Sequence, residues 1–384
     1  MVTEKQAVEK PIPPVSPVPP EPAYPPYQPI DQAANIAGKR RILEVMQQLV
    51  TAPLAELGGV IDEAYQADAR INGAHPLNEM TSPGAAVERF WTPLRQALPD
   101  VERRDDILVG GTDRGAHMLG CLGHYVGTFE NDWLGIPATG GVVAVRYAEG
   151  HELRNGKIAK SYIFVDWLDL MRQVGYWPIA PSLGREMQWL SPMTHDGVLL
   201  TPQVEAVSRR TYGSITRMHT GLDVAQGQVL TRASMAKIEQ EDARHFHPNF
   251  LWYGPAGIGT TRGIKGFDDY HGHPFLIAFP DRGVWGTPHF IRVFDGHYAV
   301  TGGWGHLQAT HTGHEFLGIP ATGKQVVMRV MDFYRCDDQT ICENWVPIDI
   351  PHLLLQMGVD IFGRMQHQFR QNGKLSVKSW LLRG

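Results

Sequence analysis

The chain has 384 residues, a length that predicts two or three domains, and 43% of its residues are hydrophobic, enough for sizeable cores. Its formal net charge of −5 gives no reason to expect nucleic acid or an acidic membrane as a partner. Its three cysteines fit neither a zinc site nor a disulfide framework, and the absence of a membrane-length apolar run or signal-peptide core predicts a cytoplasmic protein.

The first predicted region, residues 1–30, is rich in proline and nearly devoid of core-forming residues. Such a segment cannot bury enough surface to offset its ordering entropy, so we interpret it as an extended tail. Docking on a partner as a polyproline helix is the alternative. A helical pattern then runs from about Gln32 to Asp68, broken near Pro53, with apolar residues at helical spacing: Ile42, Val45, Met46 and Leu49.

An internal repeat is the most informative feature of the sequence. The string LGIPATG occurs at Leu134–Gly140 and again at Leu317–Gly323, an offset of 183 residues. This offset holds for some forty residues downstream, and it slips to 182 at the paired histidines His124 and His306. A period this long indicates two whole domains rather than a solenoid.

The predicted organisation is a domain at 31–180, a linker at 181–228 and a second domain at 229–384. In each domain helices precede a run of antiparallel strands, which predicts an α+β fold. We expect two tandem cone-shaped α+β barrels, each a curved antiparallel sheet wrapped around helices. The second domain has a hairpin near Trp252, and its long strands are predicted at about 287–294, 297–310, 324–336 and 340–349.

The second unit resembles a known family. The string THTGHEFLGIPATGKQVVMRVMDFYR at 310–335, the alternating Ile341, Glu343 and Trp345, and Asp349 with LLLQMG are similar to the SnoaL-like polyketide cyclases (ester cyclases). That family has the fold of nuclear transport factor two and ketosteroid isomerase. The resemblance covers about 231–365 and, more weakly, about 35–178.

The resemblance implies an open cone with a deep apolar pocket, often in a dimer packed through its sheet. It also implies ring closure by an intramolecular aldol reaction without metal or cofactor, in which an acidic residue of the pocket is the acid/base catalyst. One fold hosts many chemistries, so the motif is a weaker guide to the reaction than to the family.

Asp332 is the candidate catalytic acid. Side chains alternate along a strand, so Met328, Val330, Asp332 and Tyr334 share one face, which is otherwise apolar. If this face lines the pocket, burial raises the pKa of Asp332 and suits it to proton transfer near pH 7. Pairing with a neighbouring arginine or capping of a loop is the structural alternative.

His306 is the second predicted catalytic residue, because a histidine on the neighbouring strand could shuttle a proton or hold an enolate oxygen. A satisfied core histidine is the alternative. The predicted substrate-binding residues supply hydrogen bonds or stacking to a flat ligand, and core packing is the alternative for each of them: Trp304, Gln308, His289, Tyr334, Trp252, Tyr253 and Met328.

A second site is possible in the first unit. The repeat places Glu149 opposite Asp332, with Tyr147 on its face and His124 on the adjacent strand. A degenerate structural copy is the competing interpretation. The His271-x-His273 pair lacks a third ligand at recognisable spacing and lies in a predicted helix, where residues i and i+2 point apart, so no metal site is predicted.

The sequence therefore predicts a cofactor-independent enzyme that acts by acid/base chemistry on a small apolar cyclic or polyketide-like carbonyl compound. Cyclisation, isomerisation, dehydration and hydrolysis all remain open. A non-catalytic binding protein for a hydrophobic metabolite is the alternative, and a scaffold is the third hypothesis. The two units are expected to pack as an internal pseudo-dimer, with a homodimer of the tandem left open.

Overall fold

A computed structural model of the protein describes residues 25–222, 232–284 and 289–372. Predictions for the first 24 residues and for the linker beyond residue 222 lie outside the described residues. The described helices are α1 (Gln32–Thr51), α2 (Leu57–Ala64), α3 (Pro83–Ala86), α4 (Thr92–Ala97), α5 (Trp167–Gln173), α6 (Glu205–Leu222), α7 (Arg232–Asp242), α8 (Gly263–Phe267), α9 (His273–Ala278), α10 (Ile350–Gln356) and α11 (Ile361–Asn372). Two π-helical segments, Val87–Trp91 and Asp268–Gly272, precede α4 and α9.

The strands form two separate sheets, one in each half of the chain. The first contains β1 (Tyr65–Gly73), β2 (Asn78–Met80), β3 (Glu102–Asp113), β4 (Ala116–Thr128), β5 (Val142–Arg154) and β6 (Lys157–Val165). The second contains β7 (Phe246–Tyr253), β8 (Thr261–Arg262), β9 (Gly283–Val284), β10 (Ile291–Asp295), β11 (Tyr298–Thr310), β12 (Gln325–Cys336) and β13 (Ile341–Trp345).

The strand order is β2-β1-β6-β5-β4-β3 in the first sheet and β10-β11-β12-β13-β7-β8 in the second, with β9 also paired to β11. All neighbours are antiparallel except β1–β6 and β7–β13, which are parallel. The predicted α+β class and the hairpin of β7 with β8 are confirmed. Each strand order has two ends, so the sheets are open rather than closed barrels.

The repeated LGIPATG string forms the same turn in both units. Leu134 and Leu317 have positive φ angles of 52° and 55°, and the glycines that follow them have φ of 76° and 79°. Positive φ is sterically accessible to glycine but uncommon for leucine, so this turn demands an unusual local sequence. The letter-for-letter repeat therefore reflects a shared backbone geometry between two long strands.

Repeated charged residues also make matching contacts. Asp166 caps the N-terminus of α5 and accepts a hydrogen bond from Arg146 at 2.9 Å. Asp349 caps α10 and accepts from Arg329 at 3.1 Å. Each aspartate satisfies a free N–H group at a helix end while neutralising an arginine on the sheet, so these repeated residues stabilise the fold.

The two sheets pack against each other through their outer faces. Val300 fills the space above Gly120, and Phe290 stacks on Tyr162 with ring centroids 3.8 Å apart. We call this contact the inter-sheet core, and its fully buried members include Ile107, Val109, Leu122, Ala148, Tyr253, Ile291, Val293, Val300, Met331, Phe333 and Trp345. Burial of so many apolar side chains makes one continuous body of the two sheets.

The segment predicted as linker contains an 18-residue helix, α6, which packs against β10 and β11 of the second sheet. Tyr212, Ile215, Met218 and Leu222 recur at helical spacing along it. Scattered proline, glycine and arginine residues around α6 hide this periodicity in the sequence. In the described part of the chain, no helix combines the length and apolarity needed to cross a bilayer.

Candidate active site

The second unit encloses a cavity of about 240 Å³ between the inner face of its sheet and its helices. Its wall is mostly aromatic and aliphatic, with Trp252, Phe267, Phe275, Phe316, Met328 and Val330 among the lining residues. Four lining residues bring nitrogen or oxygen into this apolar space, besides the indole of Trp252: His271, Asp332, Tyr334 and Asn344. Few polar groups in a mostly apolar cavity are typical of a small-molecule site.

Asp332 is the carboxylic acid among these four polar lining residues. It lies on β12 opposite Thr301, and strand alternation directs it to the cavity together with Met328 and Tyr334, as predicted. Burial raises the pKa of Asp332 to about 7, against the lowering effect of hydrogen bonds from Asn344 and Tyr334. The carboxyl is therefore close to half-protonated at neutral pH and can either accept or donate a proton.

His271 supplies an imidazole to the same cavity. Its ring stacks on Trp252, with centroids 4.0 Å apart and planes 16° from parallel. Burial lowers the pKa of His271 to about 3, so the ring is neutral at pH 7. Its Nδ1 is buried and has no hydrogen-bond partner among the described residues. A neutral imidazole held flat by stacking can offer one donor and one acceptor to a ligand.

The register of β11 against β12, which is interrupted by a bulge in β11, determines where the predicted residues of that strand lie. Trp304 pairs with Arg329 and Leu307 with Met328, so the register shifts between them. Leu307 lines the cavity, whereas Trp304 packs on Phe164 of the first unit, at 5.4 Å between ring centroids.

Gln308 pairs with Val327 and shares the outer face of the sheet with Trp304. His306 belongs to the bulge, and its side chain lies outside the described residues. The structure thus brings neither Trp304 nor Gln308 to Asp332, because Asp332 pairs with Thr301 and the even-numbered residues of β11 therefore lie on the opposite face of the sheet.

Of the remaining predicted substrate-binding residues, Tyr253 and His289 also lie outside the cavity. Trp252 lines the cavity, but its neighbour Tyr253 faces the inter-sheet core and stacks on Trp345 at 5.0 Å. His289 also lies outside the cavity wall. Its ring stacks on His219 of α6 at 5.6 Å, and its Nδ1 is 2.9 Å from Arg292.

The equivalent position in the first unit is organised differently. Glu149 is fully buried, and Arg103 donates to its Oε1 at 3.0 Å and lies 2.9 Å from its Oε2. Tyr125 donates to Oε1 at 2.8 Å, and His151 Nε2 lies 3.2 Å from Oε2. Burial alone would raise the pKa of Glu149, but Arg103 and His151 outweigh it and hold that pKa well below its usual range. Glu149 is therefore a fixed carboxylate in a saturated network.

The other two residues predicted for a second site each contact a neighbouring aspartate. Tyr147 lies next to the guanidinium of Arg103, 4.2 Å from its ring centroid, and donates to Asp105 at 2.7 Å. His124 places its Nδ1 3.0 Å from Asp106. It pairs across the sheet with Arg146, whose repeat partner Arg329 pairs with Trp304, so the counterpart of His124 is Trp304 rather than His306.

One cluster in the first unit has the composition of a metal site. Ligand atoms of Cys121, Glu149 and His151 lie within 4.8 Å of one another, all buried. Arg103, however, contacts both carboxylate oxygens of Glu149. A cation at that point would have to displace the guanidinium, and burial raises the pKa of the Cys121 thiol well above its usual range. These residues fit an ion-pair network better than a metal.

Comparison with known proteins agrees with this two-unit arrangement. The family model of the SnoaL-like polyketide cyclases matches residues 60–174 and 233–357, which together exceed half of the chain. The chain belongs to the SnoaL-like polyketide cyclase family. Among curated proteins, none matches the chain.

Several solved structures are similar to one SnoaL-like unit at low identity. A protein assigned as a SnoaL-like polyketide cyclase from Jannaschia sp. CCS1 is 18% identical, with a TM-score of 0.31, over 38% of this chain and 95% of that one. A SnoaL-like polyketide cyclase from Agrobacterium tumefaciens is 16% identical, with a TM-score of 0.29, over 36% and 98%. An NTF2-like protein of unknown function from Burkholderia pseudomallei is 13% identical, with a TM-score of 0.29, over 36% and 98%.

Sequence reasoning missed three residues that line the cavity of the second SnoaL-like unit. Asn344 follows Glu343 on β13 and reaches Asp332 Oδ1 at 3.5 Å. His271 was considered only as a metal ligand, and its stacking on Trp252 depends on tertiary packing. Met218 lines the cavity from α6, inside the predicted linker. The helical spacing of Tyr212, Ile215 and Met218 was the available signal for that contribution.

Proposed function

We propose that the second SnoaL-like unit is a cofactor-independent acid/base enzyme with Asp332 as its catalytic carboxyl. The observation that carries this proposal is the position of Asp332 in an apolar cavity, where burial raises the pKa to about 7. A carboxyl in this state can remove a proton from carbon next to a carbonyl and return it elsewhere on the same molecule. Perturbed carboxyls in cavities are enriched at catalytic sites.

His271 is proposed to hold the carbonyl oxygen of the substrate. Its neutral ring lines the same cavity as Asp332 and is oriented by stacking on Trp252. A hydrogen bond from this imidazole would stabilise the negative charge that develops on oxygen when the adjacent carbon loses a proton. His306, the partner expected from the sequence, stays a prediction.

The size of the cavity restricts the substrate. An apolar cavity of about 150 Å³ binds benzene, so a cavity of about 240 Å³ suits a compound of roughly two fused rings. The aromatic lining favours a flat ligand, and the polar groups favour one carbonyl or hydroxyl. We therefore propose a small, apolar, cyclic ketone or enol as the substrate class.

The first SnoaL-like unit is proposed to be structural, with domain limits near 31–180 and 229–384. Its acid is held by Arg103, Tyr125 and His151, so no free carboxyl is available for proton transfer. Its sheet packs on the second through the inter-sheet core, and on this basis we propose an internal pseudo-dimer.

Deuterium exchange into 2-tetralone, a bicyclic ketone with acidic α-protons, tests the proposed catalytic role of Asp332. The wild type in D₂O is expected to accelerate loss of the α-proton NMR signal, and Asp332→Asn to lower that rate by about 10²–10⁴-fold. Asp338→Asn, an exposed carboxyl on the adjoining turn, is the matched control and should keep the wild-type rate. Retention of 2-tetralone without exchange by the wild type would instead favour a binding protein.

A cell metabolite extract then identifies the natural ligand. Mass spectrometry should show a compound that the wild type consumes and that the Asp332→Asn variant merely retains. Equal retention without turnover by both proteins would contradict catalysis by Asp332 for the compounds in that extract.

A further inference from the structure

The inter-domain helix α6 contacts the cavity of the second unit with two consecutive residues. Met218 lines the cavity, and His219 places its Nε2 3.4 Å from the hydroxyl oxygen of Tyr334. Tyr334 lies two residues from Asp332 on the same face of β12, and both side chains line the cavity. A chain of polar groups therefore runs from the cavity acid to a helix that lies outside both family-matched regions.

We propose that Tyr334 and His219 form a proton path between Asp332 and the exterior of the cavity, which makes His219 a functional residue supplied by the inter-domain helix. This rests on the proposed acid/base role of Asp332. In the outward direction, the O–H bond of neutral Asp332 breaks as its proton passes to the Tyr334 oxygen. The proton of the phenol simultaneously forms an N–H bond at His219 Nε2. The products are a carboxylate, an unchanged phenol and an imidazolium, so protons and charge balance.

The cavity creates a need for such a path. An acid that takes a proton from a substrate inside an apolar wall must release it before the next turnover, and few other polar groups line this cavity. One imidazole nitrogen can accept a proton while the other N–H can release one, so the ring of His219 can relay a proton from Tyr334. His219 is half-buried and can pass the proton to solvent.

Among the described residues, two strands and the segment before β10 place titratable or charged groups around His219. Tyr334 of β12 contacts its Nε2, and His289 stacks on its ring and contacts Arg292 of β10. The Arg292 guanidinium beside His289 opposes a positive charge on the His219 ring, and the carboxylate formed at Asp332 in the same step favours it. Proton transfer and charge separation are therefore linked, and the two groups should titrate together.

The first test is a ¹³C NMR titration of the full chain labelled at the aspartate carboxyl carbon, with Asp332 assigned from Asp332→Asn. In the wild type, the Asp332 signal is expected to follow two steps, one coinciding with the titration of the His219 ring. His219→Gln and Tyr334→Phe should each reduce this curve to one step. His367→Gln, an exposed histidine on α11, is the matched control and should leave both steps in place.

The second test is the rate of deuterium incorporation into 2-tetralone. Both His219→Gln and Tyr334→Phe are expected to lower the rate at saturation at least tenfold, with the concentration for half-saturation nearly unchanged. Superimposable Asp332 curves in wild type and His219→Gln would overturn the proton path while leaving the role of Asp332 intact. An Asp332 signal that does not titrate between pH 5 and 9 would overturn the acid/base role itself.

Discussion

Two carboxyls occupy the same position in two copies of one fold, and they have opposite surroundings. Glu149 is contacted by a guanidinium, a phenol and an imidazole, whereas Asp332 faces an open apolar cavity with Asn344 and Tyr334 beside it. The pKa falls in the first case and rises in the second. An acid at a repeated position therefore says little about function until its partners are known.

The difference comes from residues on neighbouring strands. Tyr125, which donates to Glu149, pairs with Val145, and the repeat partner of Val145 is Met328, which pairs with Leu307. A tyrosine in one unit thus corresponds to a leucine in the other. Arg103 pairs with Tyr125, as Val284 pairs with Leu307. The first unit fills its cone with side chains that satisfy the acid, and the second leaves the space empty.

Removal of Arg103 should have the largest effect on stability. The Arg103→Met variant leaves Glu149 and Asp105 buried without their cation, and loss of one partner of a buried ion pair costs about 3–5 kcal/mol. Urea unfolding followed by tryptophan fluorescence measures this. Arg104→Met, an exposed neighbour, should change the free energy of unfolding by less than about 0.5 kcal/mol. Equal effects of the two variants on the free energy of unfolding would contradict a stabilising role for the ion pairs of Arg103.

Neutralising each acid should change stability in opposite directions. The pKa of Asp332 is raised in the folded state, so the folded protein holds that proton longer and loses stability as pH rises from about 4 to 7. Asp332→Asn removes this loss and should exceed the wild type by about 2–4 kcal/mol at pH 8, but by little near pH 4.

Glu149→Gln is the matched variant with the opposite sign. Because the pKa of Glu149 is depressed in the folded state, its carboxylate contributes stability above the unfolded pKa, and that contribution is lost as pH falls. Glu149→Gln should therefore be less stable than the wild type at pH 7. Thermal unfolding between pH 4 and 8 compares the two variants. Destabilisation by Asp332→Asn at pH 8 would show that hydrogen-bond partners in the folded protein stabilise the Asp332 carboxylate, contrary to this prediction.

The smallest effect is expected from His271→Phe, which imitates Phe90 at the equivalent position of the first unit. Stacking on Trp252 is kept and a buried unpaired nitrogen is removed, so the free energy of unfolding should change by no more than about 1 kcal/mol. Exchange into 2-tetralone should fall about tenfold, because the donor to the carbonyl oxygen is lost. His273→Phe, outside the cavity wall, should retain exchange. Unchanged exchange in His271→Phe would remove His271 from the mechanism.

The internal repeat and the strand periodicity correctly predicted much of the fold. LGIPATG predicted the duplication because both units need the same strained turn, and the alternation around Asp332 predicted the cavity face correctly. The same reasoning failed at Trp304 and Gln308, which share a face of β11 as predicted but lie on the outer face of the sheet. Alternation along one strand says which of its residues share a face, but the pairing register with the neighbouring strand decides which face meets Asp332, and a shift of one residue would exchange the two faces.

The linker shows the other limit of sequence reasoning. Helical spacing in α6 was obscured by its flanking residues, and nothing local indicates that Met218 and His219 meet a sheet more than a hundred residues further along the chain.

The sequence by itself determined the family, the α+β class, the duplication and the presence of an acid on an apolar strand face, since periodicity and turn chemistry are properties of neighbouring residues. Only the tertiary structure decided which acid is free, which histidines approach it and which cone stays open. Those outcomes depend on side chains from distant strands and helices meeting in one small volume, where a single arginine or tyrosine is enough to convert a cavity into a core.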